Sequence, residues 1–291
     1  LNRESLRDNL VLALLVLIWG TTWSVNKLGL NEIPPFRLSA LRLTIAAIFL
    51  AGIVCAWKIP MPRGKSVWRA IIVLSVIMLG LPNTVHNYGQ QYVQSNVAAL
   101  LNASLPFWGA LFAHLMLREE PLTRGLSLGL CVGFAGCAIL SLSEGVGSGL
   151  NSMVGVALVL LSAAIWGFAN VYAKLYAGQF HPLSGALIQM TLGALFAWAL
   201  TPLDPHPSPS LTPRLWLLVA GLGSVGMALP FALYYLVLPR VTATRMAMLT
   251  YLEPVVAQAM GFLLLAEMLT APLLYGGALI LLGVWIVTRE R

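Results

Sequence analysis

The sequence predicts an all-α polytopic membrane protein, with ten transmembrane helices arranged as two inverted five-helix repeats. Three observations carry that expectation. The chain has 291 residues, of which 59% are hydrophobic and 9% charged, whereas an average soluble domain carries about 25% charged residues. Apolar runs near the length needed to cross a bilayer recur from one end of the chain to the other. Residues that are scarce in apolar text return in the second half at a nearly constant offset.

The 17 basic and 10 acidic side chains are too few to clothe a water-facing globule of this size. A soluble enzyme, a disordered chain and a nucleic-acid binder are therefore disfavoured. Because backbone polar groups must be satisfied within the hydrocarbon, continuous apolar runs are read as helices. The first run, 9–28, follows Arg3 and Arg7 as in a signal peptide. It continues through Trp19, Gly20 and Trp23 without a small-residue cleavage signature, so it is expected to be the first span. The second, 35–57, opens after Pro34, and the third, 67–89, follows Pro60-Met61-Pro62. The fourth and fifth, 97–117 and 123–142, are separated by Pro121. Gly145, Gly147 and Gly149 precede the sixth, 153–177, which is followed by the seventh, 183–202. A Pro-rich linker, 201–213, leads to the eighth, 214–238, and then come the ninth, 244–266, and the tenth, 271–288.

The net charge of +7 is distributed as orientation signals rather than as a nucleic-acid patch. Arg3, Arg7, Lys58, Arg63, Lys65, Arg69, Arg118, Arg124, Lys174, Arg240, Arg245, Arg289 and Arg291 fall at one set of span ends. Only Lys27, Arg37 and Arg214 fall at the other, and Arg42 lies within the second span. This bias predicts a multi-pass plasma-membrane protein (the inner membrane in a bacterium) with both termini cytoplasmic. Cys55, Cys131 and Cys137 lie scattered in apolar runs, which suggests packing rather than a disulfide framework or zinc site.

Ile18-Trp19-Gly20 and Lys27 match Ile165-Trp166-Gly167 and Lys174 at an offset of 147. Pro35, Thr44 and Phe49 match Pro182, Thr191 and Phe196 at the same offset. Pro82, Pro106, Glu119 and Gly129 match Pro230, Pro254, Glu267 and Gly277 at 148. The expected units are 1–147 and 148–291, with five spans each. An odd number of spans makes the second copy enter the membrane from the opposite face. That architecture recurs in secondary transporters, with the substrate site near the midplane between the repeats.

Residues 100–123 read LLNASLPFWGALFAHLMLREEPLT and residues 249–270 read LTYLEPVVAQAMGFLLLAEMLT. Each has a mid-helix Pro, then an apolar stretch ending in Glu and Leu-Thr. With Trp-Gly in the first and sixth spans, they resemble EamA-type members of the drug/metabolite transporter superfamily. The polar and aromatic third and fourth spans are most similar to YddG-type amino-acid exporters. The resemblance implies two inverted repeats and export of amino acids, aromatic ones included, or other small metabolites. The second copy departs from the first in having Ala266-Glu267-Met268 where the first has Arg118-Glu119-Glu120.

Polar side chains inside spans usually face protein or a water-filled cavity. In the third span Asn83, His86, Asn87 and Gln90 share one helix face, with Tyr88 and Gln91 beside it. They are expected to wall a substrate cavity, with interhelical hydrogen bonding as the alternative. His86 is a donor, acceptor or proton carrier on the first reading. Trp19, Thr22, Trp23 and Asn26 share a face of the first span, and Trp166 and Asn170 follow in the sixth. These rings either stack on a substrate or pack the repeats together. Lys174 is expected to snorkel to the surface. Asn102 precedes Pro106, with Trp108 just beyond, and Thr250, Tyr251 and Glu253 precede Pro254. Each proline frees a carbonyl one turn back, so Pro106 and Pro254 are expected hinges. Glu253 either meets a substrate ammonium, carries a proton, or is a hydrogen-bonded structural acid. Met227, Phe231 and Tyr234, with Tyr235 beside them, are either cavity wall or core. Arg42 is read as snorkelling outward or pairing with a carbonyl or Glu32, with a substrate role as the alternative.

Gly221-Leu222-Gly223-Ser224-Val225-Gly226 fits a dinucleotide fingerprint only in spacing, because it lies within a span. Gly125, Gly129 and Gly133 suggest close helix contact. No metal site, cofactor or ATP-binding segment is expected, and the expected partners are the bilayer and a small-molecule substrate. The sequence thus points to a non-enzymatic secondary carrier working by alternating access. A channel-like facilitator, a nucleotide-sugar or drug carrier, and an intramembrane enzyme using Ser224 or His86 are the alternatives. The fifth and tenth spans are expected to be peripheral.

Overall fold

The computed structural model describes residues 3–116, 124–141, 149–176, 179–207, 210, 212–237 and 243–289. Arg118, Glu119, Glu120, Pro121, Gly145, Gly147 and Arg240 lie outside the described residues, as do the side chains of Cys137, Lys174, Tyr235, Arg245, Thr250 and Tyr251. Among the described residues all regular structure is helical. The helices are α1 (Arg3–Leu30), α2 (Pro35–Ala56), α3 (Lys65–Leu74), α4 (Leu81–Gln90), α5 (Ser95–Asn102), α6 (Leu105–Met116) and α7 (Arg124–Ser141). They continue with α8 (Leu150–Lys174), α9 (Pro182–Leu200), α10 (Pro213–Gly223), α11 (Leu229–Val237), α12 (Ala243–Leu265) and α13 (Ala271–Arg289).

Two of the expected spans are composite helices with a widened turn. A π-helical turn, Ser75–Gly80, joins α3 to α4, and another, Ser224–Ala228, joins α10 to α11. Each is followed by Leu-Pro, with Pro82 and Pro230 second in the helix that resumes. A proline has no N–H to give the carbonyl four residues back and its ring crowds that carbonyl. Here the helix absorbs the conflict by widening one turn rather than ending. The fourth span behaves differently. It is interrupted at Ala103-Ser104, and Pro106 is the second residue of α6. Pro254, its counterpart by sequence, sits inside a continuous α12.

Among the described residues, seven helical segments are long and apolar enough to cross a membrane: Arg7–Leu30, Pro35–Ala56, Lys65–Gln90, Ser95–Met116, Leu150–Ala173, Pro182–Leu203 and Pro213–Tyr234. The remaining apolar stretches, Ser127–Gly136, Leu252–Leu265 and Ala271–Ile286, are shorter and lie in α7, α12 and α13. Large apolar side chains face outward along many helices, among them Leu10, Leu14 and Leu17 on α1, Leu195 on α9, Leu217 on α10 and Phe262 and Leu263 on α12. So much outward apolar surface suits lipid rather than water.

The packing order places α1 on α12, α6 and α5 on α8, α2 on α9 and on α10, α9 on the first π turn, and α7 on α13. Gly20 sits where a Cβ would run into Val256 and the Glu253 carbonyl of α12. Gly167 likewise sits against Trp108 and Gly109 of α6. The two Trp-Gly pairs therefore mark close helix approaches beside the centre. At the edge, α7 and α13 pack through their own glycines, Gly283 lying against Gly129 and Gly133. Among the described residues, neither of these two helices contributes to the central cavity described next.

Two carboxylates tie distant segments together. Asp204 accepts the backbone N–H groups of Phe36 (2.9 Å) and Arg37 (3.1 Å) at the start of α2, which begins with Pro35 and has no side-chain cap of its own. Burial pushes the Asp204 carboxyl above the usual carboxylate range, against the pull of those two N–H bonds. Glu267 accepts from Ser95 N (2.6 Å), Ser95 Oγ (2.8 Å) and Asn96 N (3.1 Å) at the start of α5. A carboxylate at a helix N-terminus satisfies free N–H groups and complements the helix dipole.

Candidate functional site

A cavity of about 330 Å³ opens between α1, α2, α4, α5, α6, α8, α11, α12 and the two π turns. Its wall draws on both halves of the chain. From the first come Trp19, Thr22, Trp23, Asn26, Arg42, Met78, Pro82, Asn83, His86, Gln90, Ala99, Asn102, Ala103 and Leu105. From the second come Ser162, Trp166, Asn170, Gly226, Met227, Phe231, Tyr234, Glu253 and Pro254.

Helical spacing explains the assembly. Trp19, Thr22, Trp23 and Asn26 line one face of α1, and Asn83, His86 and Gln90 line one face of α4. The aromatic part is built around Trp19, whose ring lies 6.5 Å from Phe231 edge-on and 6.1 Å from Tyr234. Trp23 meets His86 edge to face at 5.1 Å. Most of the remaining wall is apolar, as expected of a small-molecule pocket with a few placed polar groups.

The polar part is one connected network. Arg42 Nη1 donates to Asn26 Oδ1 at 2.5 Å. Asn26 Nδ2 donates to Asn87 Oδ1 (2.8 Å) and Gln90 Oε1 (2.6 Å). Asn87 Nδ2 donates to Ser39 Oγ (2.7 Å), and Gln90 Nε2 donates to the Trp23 carbonyl (3.1 Å). His86 Nε2 lies 3.2 Å from Gln90 Oε1. An amide oxygen only accepts, so this contact requires the proton on Nε2. Lys27 Nζ donates to the carbonyls of Gln90 and Gln91, both at 2.8 Å, closing the C-terminal end of α4. Asn102 Oδ1 is buried and without a partner among the described residues.

Of the residues singled out from sequence, Trp19, Trp23, Asn83, His86, Gln90, Asn102, Trp166, Asn170, Tyr234 and Glu253 line this cavity, as does Pro254. Four others do not. Asn87 is buried behind the wall and supports Asn26. Tyr88 turns away, stacking on Phe36 at 5.5 Å and meeting Tyr92. Trp108 bonds to Ser104 Oγ at 3.2 Å and packs edge-on against Phe134 of α7. Pro106 lies beside the cavity-lining Leu105 but not in the wall. Ser224 Oγ donates to the Ala220 carbonyl of its own helix and is not in the wall either.

The position of Arg42 departs from its sequence reading. It neither snorkels nor pairs with Glu32. Its residue is 9% exposed, and Glu32 lies 3.7 Å from Arg214 instead. The signal for this lay in Asn26 and Gln90, on the polar faces of the first and third spans. Ser39 and the capping role of Glu267 carried no comparable local signal.

The model of the EamA-like transporter family matches residues 7–142 and again residues 153–289. The chain is 29% identical over 283 residues to the uncharacterized transporter YoaV of Bacillus subtilis, covering 94% of this chain and 93% of that protein. It is 25% identical over 279 residues to a probable terminal-alkyne amino-acid exporter of Streptantibioticus cattleyicolor, covering 96% and 92%. It is also 26% identical over 256 residues to the uncharacterized inner membrane transporter YedA of Escherichia coli K12, covering 85% and 79%. A protein solved by crystallography shares the fold, with a TM-score of 0.69 at 20% identity over 98% of this chain and 97% of the other.

Proposed function

The chain belongs to the EamA-like transporter family, and from that premise we propose that it is a secondary carrier exporting amino acids, aromatic ones included, by alternating access. The observation that carries this reading is the central cavity. About 330 Å³ is at the small end of ligand pockets. That volume suits a solute of amino-acid size better than a nucleotide sugar. Trp19, Trp166 and Phe231 offer faces to an apolar or aromatic side chain, while Asn83, His86 and Asn102 offer hydrogen bonds. The amino-acid exporter among the relatives supports the same substrate class.

The proposed architecture is ten spans in two inverted repeats, 1–147 and 148–291, with both termini cytoplasmic in the plasma membrane. The double family match, the paired π turns before Pro82 and Pro230, and the reciprocal packing of α1 on α12 and α8 on α6 support it. The two repeats rock about the cavity, with Pro106 and Pro254 at the flexing helices. Glu253 receives the substrate ammonium or a coupling proton. Proteoliposome counterflow with a mixed amino-acid pool, run with and without a pH gradient, tests this. Saturable exchange of neutral or aromatic amino acids is the expected result. Ion currents without saturable flux would replace the carrier by a channel. A Glu253→Gln variant that keeps exchange but loses its response to the gradient would assign the proton role, and one that loses exchange altogether the ammonium role.

A further inference from the structure

We propose that Arg42 is the anchor for a carboxylate on the transported solute, an inference that rests on reading the central cavity as the transport site. Arg42 sits in α2, an element that contributes no other residue to the cavity wall. Its residue is more than nine-tenths buried, in a helix whose other charged residue, Arg37, lies in the first turn. Among the described residues its single hydrogen bond runs from Nη1 to Asn26 Oδ1, and no carboxylate pairs with it. Nε is buried with no partner. Glu32, the acid nearest in sequence, is engaged with Arg214 at the surface. Glu253, the carboxylate that shares the cavity wall, makes no ion pair with it.

A guanidinium stays charged in any such site, and its fork of donors matches a carboxylate in two-point geometry. A buried charge without a counter-ion is costly, so a structure that retains one has either a relay of dipoles or a ligand to compensate it. The relay here is partial. Asn26 turns its oxygen to Arg42 because its NH2 is held by the oxygens of Asn87 and Gln90. Asn87 is held in turn by Ser39. These four residues fix the orientation of one guanidinium edge, and Arg42 is itself part of the cavity wall. A solute carboxylate supplies the missing charge and acceptors together.

The test uses binding as well as flux, because tryptophans in the wall report occupancy by fluorescence. Phenylalanine and phenylalaninamide, which differ in the carboxylate, are titrated into the detergent-purified full chain. Wild type is expected to bind the acid at least tenfold more tightly than the amide. Arg42→Gln is expected to bring the two within about twofold, and Arg42→Lys to keep part of the preference. Equal affinity for acid and amide in wild type, binding of neither, or full discrimination in Arg42→Gln would overturn the proposal. The wild-type ratio decides the matter even if Arg42→Gln does not fold. Carboxylate-selective binding without counterflow would overturn the transport reading while leaving the anchor in place. Counterflow that is blind to acid and amide would do the reverse.

Discussion

Arg42 sets the direction of every amide around it. Being a donor only, it forces the oxygen of Asn26 toward itself, which sends the Asn26 NH2 to Asn87 and Gln90. Gln90 then offers its oxygen to His86 and its NH2 to the Trp23 carbonyl. One charge thus fixes four side chains and positions the Trp23–His86 pair at the wall. Asn26 is the node, so Asn26→Ala leaves Arg42, Asn87 and Gln90 each short of a partner. Unmade buried bonds cost about 1–3 kcal/mol each, more when charged. A loss of roughly 3 kcal/mol or more is expected, read as a lowered thermal unfolding midpoint in detergent. A shift no larger than that of Asn170→Ala, at an exposed position, would show that the network is not cooperative. The faces carrying Asn83, His86 and Gln90 were readable from helical spacing alone. Arg42 was not, because which neighbour meets a lone intramembrane arginine depends on how the helices cross.

At the scale of the helix, long-range caps and close approaches hold the arrangement. Glu267 reaches α5 across 172 residues of sequence to bind both Ser95 and Asn96. Its Leu-Thr neighbours marked it as part of a repeated motif, but its partner is a tertiary fact that no local spacing shows. Replacing a helix-capping acceptor costs about 0.5–2 kcal/mol. Glu267→Ala is expected to fall at the upper end or beyond, since three donors lose their acceptor together. Glu267→Gln, keeping one oxygen, is expected to recover about half, as judged by the same unfolding midpoint. The glycines give a second check. Gly20→Ala pushes a methyl into Val256, whereas Gly221→Ala meets nothing within 4 Å. Overpacking costs about 1–3 kcal/mol, while Gly to Ala in an unhindered helix interior stabilises by about 0.5–1 kcal/mol. Opposite signs are therefore expected for the two variants in one melting experiment. Equal effects would mean that the α1–α12 approach is not close. The π turns, by contrast, were invisible as such in the sequence. Pro82 and Pro230 stood out only as matched positions of the repeat, and whether a helix widens, breaks as at Ala103-Ser104, or continues as through Pro254 depends on what packs against it.

Across the whole molecule, the long apolar runs made the helices legible, because crossing a bilayer demands both length and apolarity. The described ends of α7, α12 and α13 also fall within a residue of the expected bounds, although their apolar stretches are shorter. The proposed inverted arrangement gives these helices a geometric reason for their pairing. In the packing, α1 meets α12 as α8 meets α6, α2 meets α10 as α9 meets the first π turn, and α2–α9 and α7–α13 pair with each other. A two-fold axis in the membrane plane exchanges each of these contacts with its counterpart or with itself, whereas a parallel duplication would set corresponding loops on the same side. The loop holding Met61 and the linker holding Ser210, both exposed, correspond by sequence and must then face opposite compartments. On the proposed orientation, the basic residues Lys58, Arg63 and Lys65 would put the first in the cytoplasm. The carboxylate caps Asp204 and Glu267 would both lie at the outer end, clasping the two halves there. In a variant lacking Cys55, Cys131 and Cys137, an impermeant maleimide is expected to label Ser210→Cys in intact cells. Met61→Cys should be labelled only after lysis. Labelling of both from the same side would remove the inverted axis, and with it the rocking mechanism that depends on two halves of opposite orientation.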